Sequence, residues 1–144
     1  MDAMRLEKSY RLIPREMSIE YSALESGLDR FVKLDKDCDF VGKAALQAWQ
    51  ERGFVNSFVT LEVHDIDDAD ARGSEGIYSG GELVGRATSG GFGFRVNKSL
   101  ALGLVKTAYA VEGTELEIEI LGKKHRTTVI AESAFDSDNT ALRS

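Results

Sequence analysis

The sequence predicts a mainly β chain, an antiparallel sandwich or barrel of about six strands, preceded by a short helical lead-in. Two observations carry this reading. From Phe54 onward, short runs rich in β-branched and aromatic residues alternate with glycine-containing turns, whereas before Gly53 the apolar residues recur at helical spacing. Within the β-rich part, Gly80-Gly81 lies between Ile77-Tyr78-Ser79 and Glu82-Leu83-Val84, a two-residue hairpin signal because glycine tolerates the positive φ of the primed turns.

The elements follow in order. Asp2 is placed to cap a first short helix running through Tyr10, and Pro14 interrupts any continuation because its ring fixes φ and removes a donor. Ser18 opens a second helix, in which Ile19, Ala23, Leu24, Leu28 and Phe31 share one face. Asp39 is placed to cap a third, Phe40 to Glu51, built on Ala44, Ala45, Leu46 and Ala48 and stopped by Gly53. Strands are then expected over 54–63, 76–79, 82–88, 101–105, 114–121 and 126–131. In the fifth, Leu116, Ile118 and Ile120 alternate with Glu115, Glu117 and Glu119, which gives one dry and one wet face. Gly122-Lys123 turns it back toward Thr127 to Ile130. The expected division is a helical part over 1–52 and a β part over 53–144.

Composition narrows the function classes. The 144 residues, 42% hydrophobic, suit one core rather than two full domains. No apolar run approaches the roughly 20 residues that a spanning helix needs, and Met1 to Arg11 is charged rather than signal-like, so no membrane association is expected. The single cysteine, Cys38, cannot form an internal disulfide, which makes a cytoplasmic setting the expectation. The net charge of −6 repels phosphate backbones, so no nucleic-acid partner is expected.

Residue positions exclude several motif readings. The stretch Gly85-Arg86-Ala87-Thr88-Ser89-Gly90-Gly91-Phe92-Gly93-Phe94 lacks the Lys of a P-loop, has Val96 where a dinucleotide fingerprint needs glycine, and has Gly90 and Asn97 where an RNA-recognition strand needs a basic and an aromatic residue. It reads as a glycine-rich bend between strands whose backbones pass closely. Asp65, Asp67, Asp68 and Asp70 miss the spacing of a calcium loop and read as a solvated acidic loop. His64 and His125 have no paired ligands, so no metal is expected. Ala87-Thr88-Ser89-Gly90-Gly91 is not a nucleophile elbow, and Cys38 has no reactive signature. Arg5, beside Met4 and Leu6, can clamp a carboxylate bidentately or form a surface ion pair with Glu7 or Glu16, and Arg72 carries the same ambiguity.

Several ordered segments resemble the glycine cleavage T-protein family, in particular the folate-binding half of dimethylglycine and sarcosine dehydrogenases. They are 2–11 (DAMRLEKSYR), 24–28 (LESGL) with 31–34 (FVKL), 39–46 (DFVGKAAL), 85–91 (GRATSGG), 98–105 (KSLALGLV) and 113–116 (GTEL). The resemblance covers nearly the whole chain. It implies transfer of a one-carbon unit from an aminomethyl or N-methyl donor to tetrahydrofolate, and it implies that this chain is the end of the folate-binding region followed by the family's C-terminal β-barrel. The family's catalytic aspartate lies upstream of the matching region, so no catalytic residue is carried over. Arg5 matches the arginine of the family's Asp-x-x-Arg-Leu-Glu motif and Arg72 an arginine preceding the Ile77-Tyr78 strand, so both are implied folate contacts. Arg30 or Phe31 stands where the glycine cleavage enzyme has a tryptophan. Lys36-Asp37-Cys38 imitates the Lys-Gly-Cys of an iron-sulfur branch, but the residues after it depart from that branch.

Two functions follow as expectations. In one, the chain is the C-terminal portion of a folate-dependent aminomethyltransferase or demethylating dehydrogenase, inactive alone. In the other, it is a non-catalytic module or small subunit that completes a separate folate-binding partner chain. Both imply an exposed apolar face on residues 1–50 where the missing region packs, which can also drive self-association.

Overall fold

The computed structural model describes residues 1–144, except for the side chain of Leu142. Six strands form a closed antiparallel barrel: β1 (Asn56–Val63), β2 (Gly76–Ser79), β3 (Glu82–Gly93), β4 (Lys98–Lys106), β5 (Glu115–Ile120) and β6 (Lys123–Ile130). Their order around the wall is β1-β4-β3-β2-β5-β6, and β6 pairs back onto β1 through Thr60 opposite Ile130 and Val63 opposite Thr127. Closure leaves no free sheet edge. Of the two architectures the strand pattern allowed, the barrel is the one formed.

Alternation fills the interior. Val59, Leu61 and Val63 of β1, Ala101 and Val105 of β4, Leu116, Ile118 and Ile120 of β5 and Val129 of β6 point into one cluster with Ile77, Val84 and Ala87. β4 departs from simple alternation, because every residue from Ser99 to Val105 is buried. Its inner face meets the barrel core, while Leu100 and Leu102 on its outer face pack against Leu6, which is only 2% exposed. Leu6 belongs to α1 (Asp2–Glu7), whose burial against the outside of β3 and β4 fixes the lead-in to the barrel. Burying one such leucine is worth about 1.5–3 kcal/mol.

The lead-in is less helical than its spacing predicts. α1 ends at Glu7 rather than Tyr10, and Asp2 lies inside its first turn, not at the N-cap, where Met1 stands. The Ile13–Pro14 peptide is cis. Between Ser18 and Phe31 there is no helix beyond a 3-10 turn at Asp29–Phe31, and Ile19 and Phe31 are exposed while Glu16, Ser22, Glu25 and Ser26 are buried. The reason is local. Ser22 and Glu25 form a reciprocal capping box: the Glu25 N–H donates to Ser22 Oγ (3.2 Å) and the Ser22 N–H donates to Glu25 Oε2 (3.1 Å). Two residues later Gly27, at φ 65°, closes a Schellman turn in which the Leu28 N–H donates to the Ala23 carbonyl (2.9 Å). Start and stop signals this close leave room for one turn. The Phe58 N–H then donates to the Glu25 carbonyl (2.8 Å), fastening that turn to β1.

α2 (Lys43–Arg52) starts three residues later than the sequence predicts. Gly42 occupies the N-cap, and Asp39 Oδ1 accepts only from the neighbouring Phe40 N–H (2.9 Å). Gly53, at φ 85°, ends it as expected, and none of its residues is buried. A final short helix, α3, covers Thr140–Arg143.

The glycine-rich stretch is not a bend between strands. It continues β3 to Gly93, with an extra residue, Thr88, bulged out between Ala87 opposite Gly103 and Ser89 opposite Leu102. Close backbone passage is real, since a Cβ on Gly90 would lie 2.7 Å from the carbonyl carbon of Ala71. The last hairpin turns on Leu121-Gly122, both at positive φ, so Lys123 already belongs to β6.

Candidate functional site

α1 and the segments around Arg95 and Phe135 form an open apolar groove of about 690 Å³, lined among others by Met4, Arg5, Tyr10, Arg95, Phe135 and Asp136. That volume and lining suit a small organic ligand with a few fixed polar contacts. The walls are held by specific bonds. Glu7, buried, accepts the Arg95 N–H at Oε1 (2.7 Å), and the Phe135 N–H donates to the Glu7 carbonyl (3.0 Å). Lys8 Nζ pairs with Asp136 Oδ2 at 3.3 Å. The Arg95 guanidinium lies 4.8 Å from the centre of the Phe135 ring.

Arg5 is the polar centre of this wall. A guanidinium has five N–H donors. Its Nε donates to Asp2 Oδ1 (3.0 Å), and its Nη1 donates to the Tyr10 carbonyl (2.9 Å) and to Glu16 Oε2 (3.4 Å). Among the described residues Nη2 has no hydrogen-bond partner, although it is buried. The bond from Arg5 holds the exposed Asp2 carboxyl below its ordinary pKa. Of the partners that the sequence offers Arg5, Glu16 is the one used and Glu7 is not. The pair is sequestered, with the Arg5 side chain 12% and the Glu16 side chain 0% exposed, rather than a surface pair.

Arg72 does not line this groove. It is exposed beside the glycine stretch, where its N–H donates to Glu75 Oε1 (2.8 Å). Cys38 is exposed, and the acidic loop is partly neutralised by Lys123, whose hydrogen bond holds the Asp68 carboxyl below its ordinary value. His64 Nε2 lies 2.8 Å from Thr128 Oγ1, and among the described residues no group of three or more His, Cys, Asp and Glu side chains is arranged to hold a metal ion.

Two residues organise the lead-in: Arg11, which sequence reasoning passed over, and Glu16, which it named only as an ion-pair partner for Arg5. The Arg11 side chain, 3% exposed, donates through Nε to the Ser26 carbonyl (2.9 Å) and through Nη2 to the Gly27 carbonyl (3.1 Å), and lies 3.8 Å from the centre of the Phe58 ring. Glu16 accepts Thr88 Oγ1 and Ser89 Oγ at Oε1, both at 2.6 Å, and the Leu12 N–H at Oε2 (2.8 Å). No local motif marks either residue, because their side-chain partners are 11 to 121 positions away and their other partners are on the main chain.

Residues 56–136 match the family model of the glycine cleavage T-protein C-terminal barrel domain. Over 143 residues the chain is 39% identical to the mitochondrial dimethylglycine dehydrogenase of Homo sapiens, covering 99% of this chain and 16% of that protein. It is 35% identical over 130 residues to an aminomethyltransferase of a Geobacillus species, covering 90% of this chain and 35% of the relative. The crystal structure of the glycine cleavage system aminomethyltransferase T from Bartonella henselae superposes with a TM-score of 0.83 at 27% identity, covering 94% of this chain and 38% of that one. The chain therefore spans about a third of the aminomethyltransferases and under a fifth of the dehydrogenases it matches. The closed barrel and the matched residues together place the chain in the glycine cleavage T-protein C-terminal barrel domain family.

Proposed function

We propose that this chain is the C-terminal portion of a tetrahydrofolate-dependent aminomethyltransferase or demethylating dehydrogenase, acting on donors of the glycine, dimethylglycine or sarcosine type and inactive by itself. In this reading residues 1–52 end the folate-binding region and 53–144 form the barrel that backs it. The observation that carries the reading is Arg5, whose side chain is 12% exposed in the wall of an open apolar groove of about 690 Å³ and whose Nη2, beneath that surface, has no hydrogen-bond partner among the described residues. A guanidinium in a groove wall binds anionic oxygens through charge-assisted bonds, so the site suits a ligand that supplies an anionic oxygen to Arg5 and an apolar body to Met4, Tyr10 and Phe135. Folate, an aromatic body with a carboxylate tail, fits that description. When bound it supplies the acceptor for the one-carbon unit.

This chain's residues then have limited tasks. Arg5 holds the anionic end of the ligand. Glu7 and Phe135 keep the groove wall in place, and Leu6 anchors that wall to β4 so that water is kept from the reacting carbon. The rest of the longer protein covers the apolar side chains that residues 1–55 leave exposed, among them Met4, Ile13, Ile19, Phe31 and Val41.

Calorimetric titration with 5-formyltetrahydrofolate tests the reading. Saturable heat with a Kd of tens of micromolar or tighter is expected, and Arg5→Ala should weaken it about tenfold or more, the value of one charge-assisted bond. Absence of heat from a folded wild-type chain would contradict it.

A further inference from the structure

We propose that Glu16 is the positioning residue for Arg5, the anion that locks the guanidinium in the groove wall where its exposed edge meets a ligand's carboxylate. The inference deepens the folate reading and rests on it for the identity of the ligand. Its own basis is the geometry of one carboxylate. Glu16 is fully buried, and both of its oxygens are occupied by donors from three separate parts of the chain. Oε1 takes the hydroxyls of Thr88 and Ser89, adjacent residues that reach the same oxygen because β3 carries an extra residue there. Oε2 takes the Leu12 N–H and Arg5 Nη1. A carboxylate with this many donors cannot rotate without breaking several bonds at once.

The donor count at Arg5 gives the consequence. Asp2, the Tyr10 carbonyl and Glu16 take three N–H groups on the Nε and Nη1 side, so the two on Nη2 face no protein acceptor among the described residues. Asp2 is exposed and Tyr10 contributes only a main-chain oxygen. Glu16 is thus the one buried charge fixing the rotation of the guanidinium. Through Thr88 and Ser89, Glu16 sets the Arg5 wall of the groove against the bulge in the glycine-rich strand, which explains why the hydroxyls stand at that bulge.

Arginine side-chain nitrogen spectra test this directly, alongside the same calorimetric titration on wild type and Glu16→Gln. A held guanidinium gives resolved, slowly exchanging Nη protons. The wild-type chain should show them for Arg5, and Glu16→Gln should merge them and weaken 5-formyltetrahydrofolate about tenfold, the loss of one charge-assisted anchor. If Glu16→Gln does not fold, the Thr88→Val, Ser89→Ala double variant loosens the same carboxylate from its other oxygen and should broaden the Arg5 signals in the same direction. Unchanged Arg5 spectra and affinity in a folded variant would overturn the inference. The two claims fail separately: a wild type that binds no folate yet shows Arg5 held through Glu16 sinks the folate reading alone, whereas a freely rotating Arg5 in wild type sinks the positioning role.

Discussion

Glu16→Ala should lower the free energy of unfolding by about 3–5 kcal/mol, the cost of leaving a buried partner charge uncompensated. The substitution strands Arg5, whose side chain is 12% exposed, and removes the acceptor for Thr88, Ser89 and the Leu12 N–H. Because those groups sit on the lead-in and on β3, the bond network is one of the ties between residues 1–16 and the barrel wall, beside Leu6, the Glu7–Arg95 bond and the Ser9–Thr60 bond. Arg5→Ala in the Glu16→Ala background should then cost less than Arg5→Ala in wild type, since the charge it removes has already lost its buried partner and keeps only the exposed Asp2. Urea unfolding of the two single variants and the double variant measures this. A loss under about 1 kcal/mol for Glu16→Ala, in the range of exposed pairs, would mean that water reaches the carboxylate.

The second large effect lies inside the barrel. Ile118 is fully buried, opposite Ile77 of β2 on one side and His125 of β6 on the other. A wall closed by hydrogen bonds on both sides of every strand cannot collapse onto a vacated site, so Ile118→Ala is expected to cost about 2–5 kcal/mol and Ile118→Val about 1 kcal/mol. Thermal and urea unfolding check the pair. Equal, small losses would show that the interior is loosely packed.

The part of the fold that could be read from the sequence is the part governed by near neighbours. The alternation of Leu116, Ile118 and Ile120 with three glutamates is the burial alternation of β5, and Gly80-Gly81 is the β2–β3 turn, with both residues at positive φ. Where prediction failed, a short-range signal was outweighed by another of shorter range or by a distant contact. Ile19, Ala23, Leu24, Leu28 and Phe31 have helical spacing, yet Ser22, Glu25 and Gly27 start and stop a turn within it, and Ile19 and Phe31 end up exposed. The glycines from Gly85 to Gly93 resemble a bend because their strand character comes from pairing with β4, which cannot be seen locally.

The candidate site was legible only in part. Arg5 is identifiable from its motif and from its apolar neighbours, and the structure sets it in the groove wall with Glu16 as partner. Arg72, which the resemblance implies only as an arginine preceding the Ile77-Tyr78 strand, stands beside the glycine stretch outside that wall. Arg95 and Phe135 lack any sequence signature because the groove joins positions more than 80 residues apart, as the bond between Arg95 and Glu7 shows.

Hydrogen exchange of the chain with and without 5-formyltetrahydrofolate asks most directly whether the wall built by α1 is the folate-facing surface. Protection is expected over residues 1–10, around Arg95 and at Phe135–Asp136, with the β5–β6 hairpin unchanged. Protection that falls instead on the acidic loop at 65–70 or on that hairpin, or that appears nowhere in the chain, would contradict the assignment.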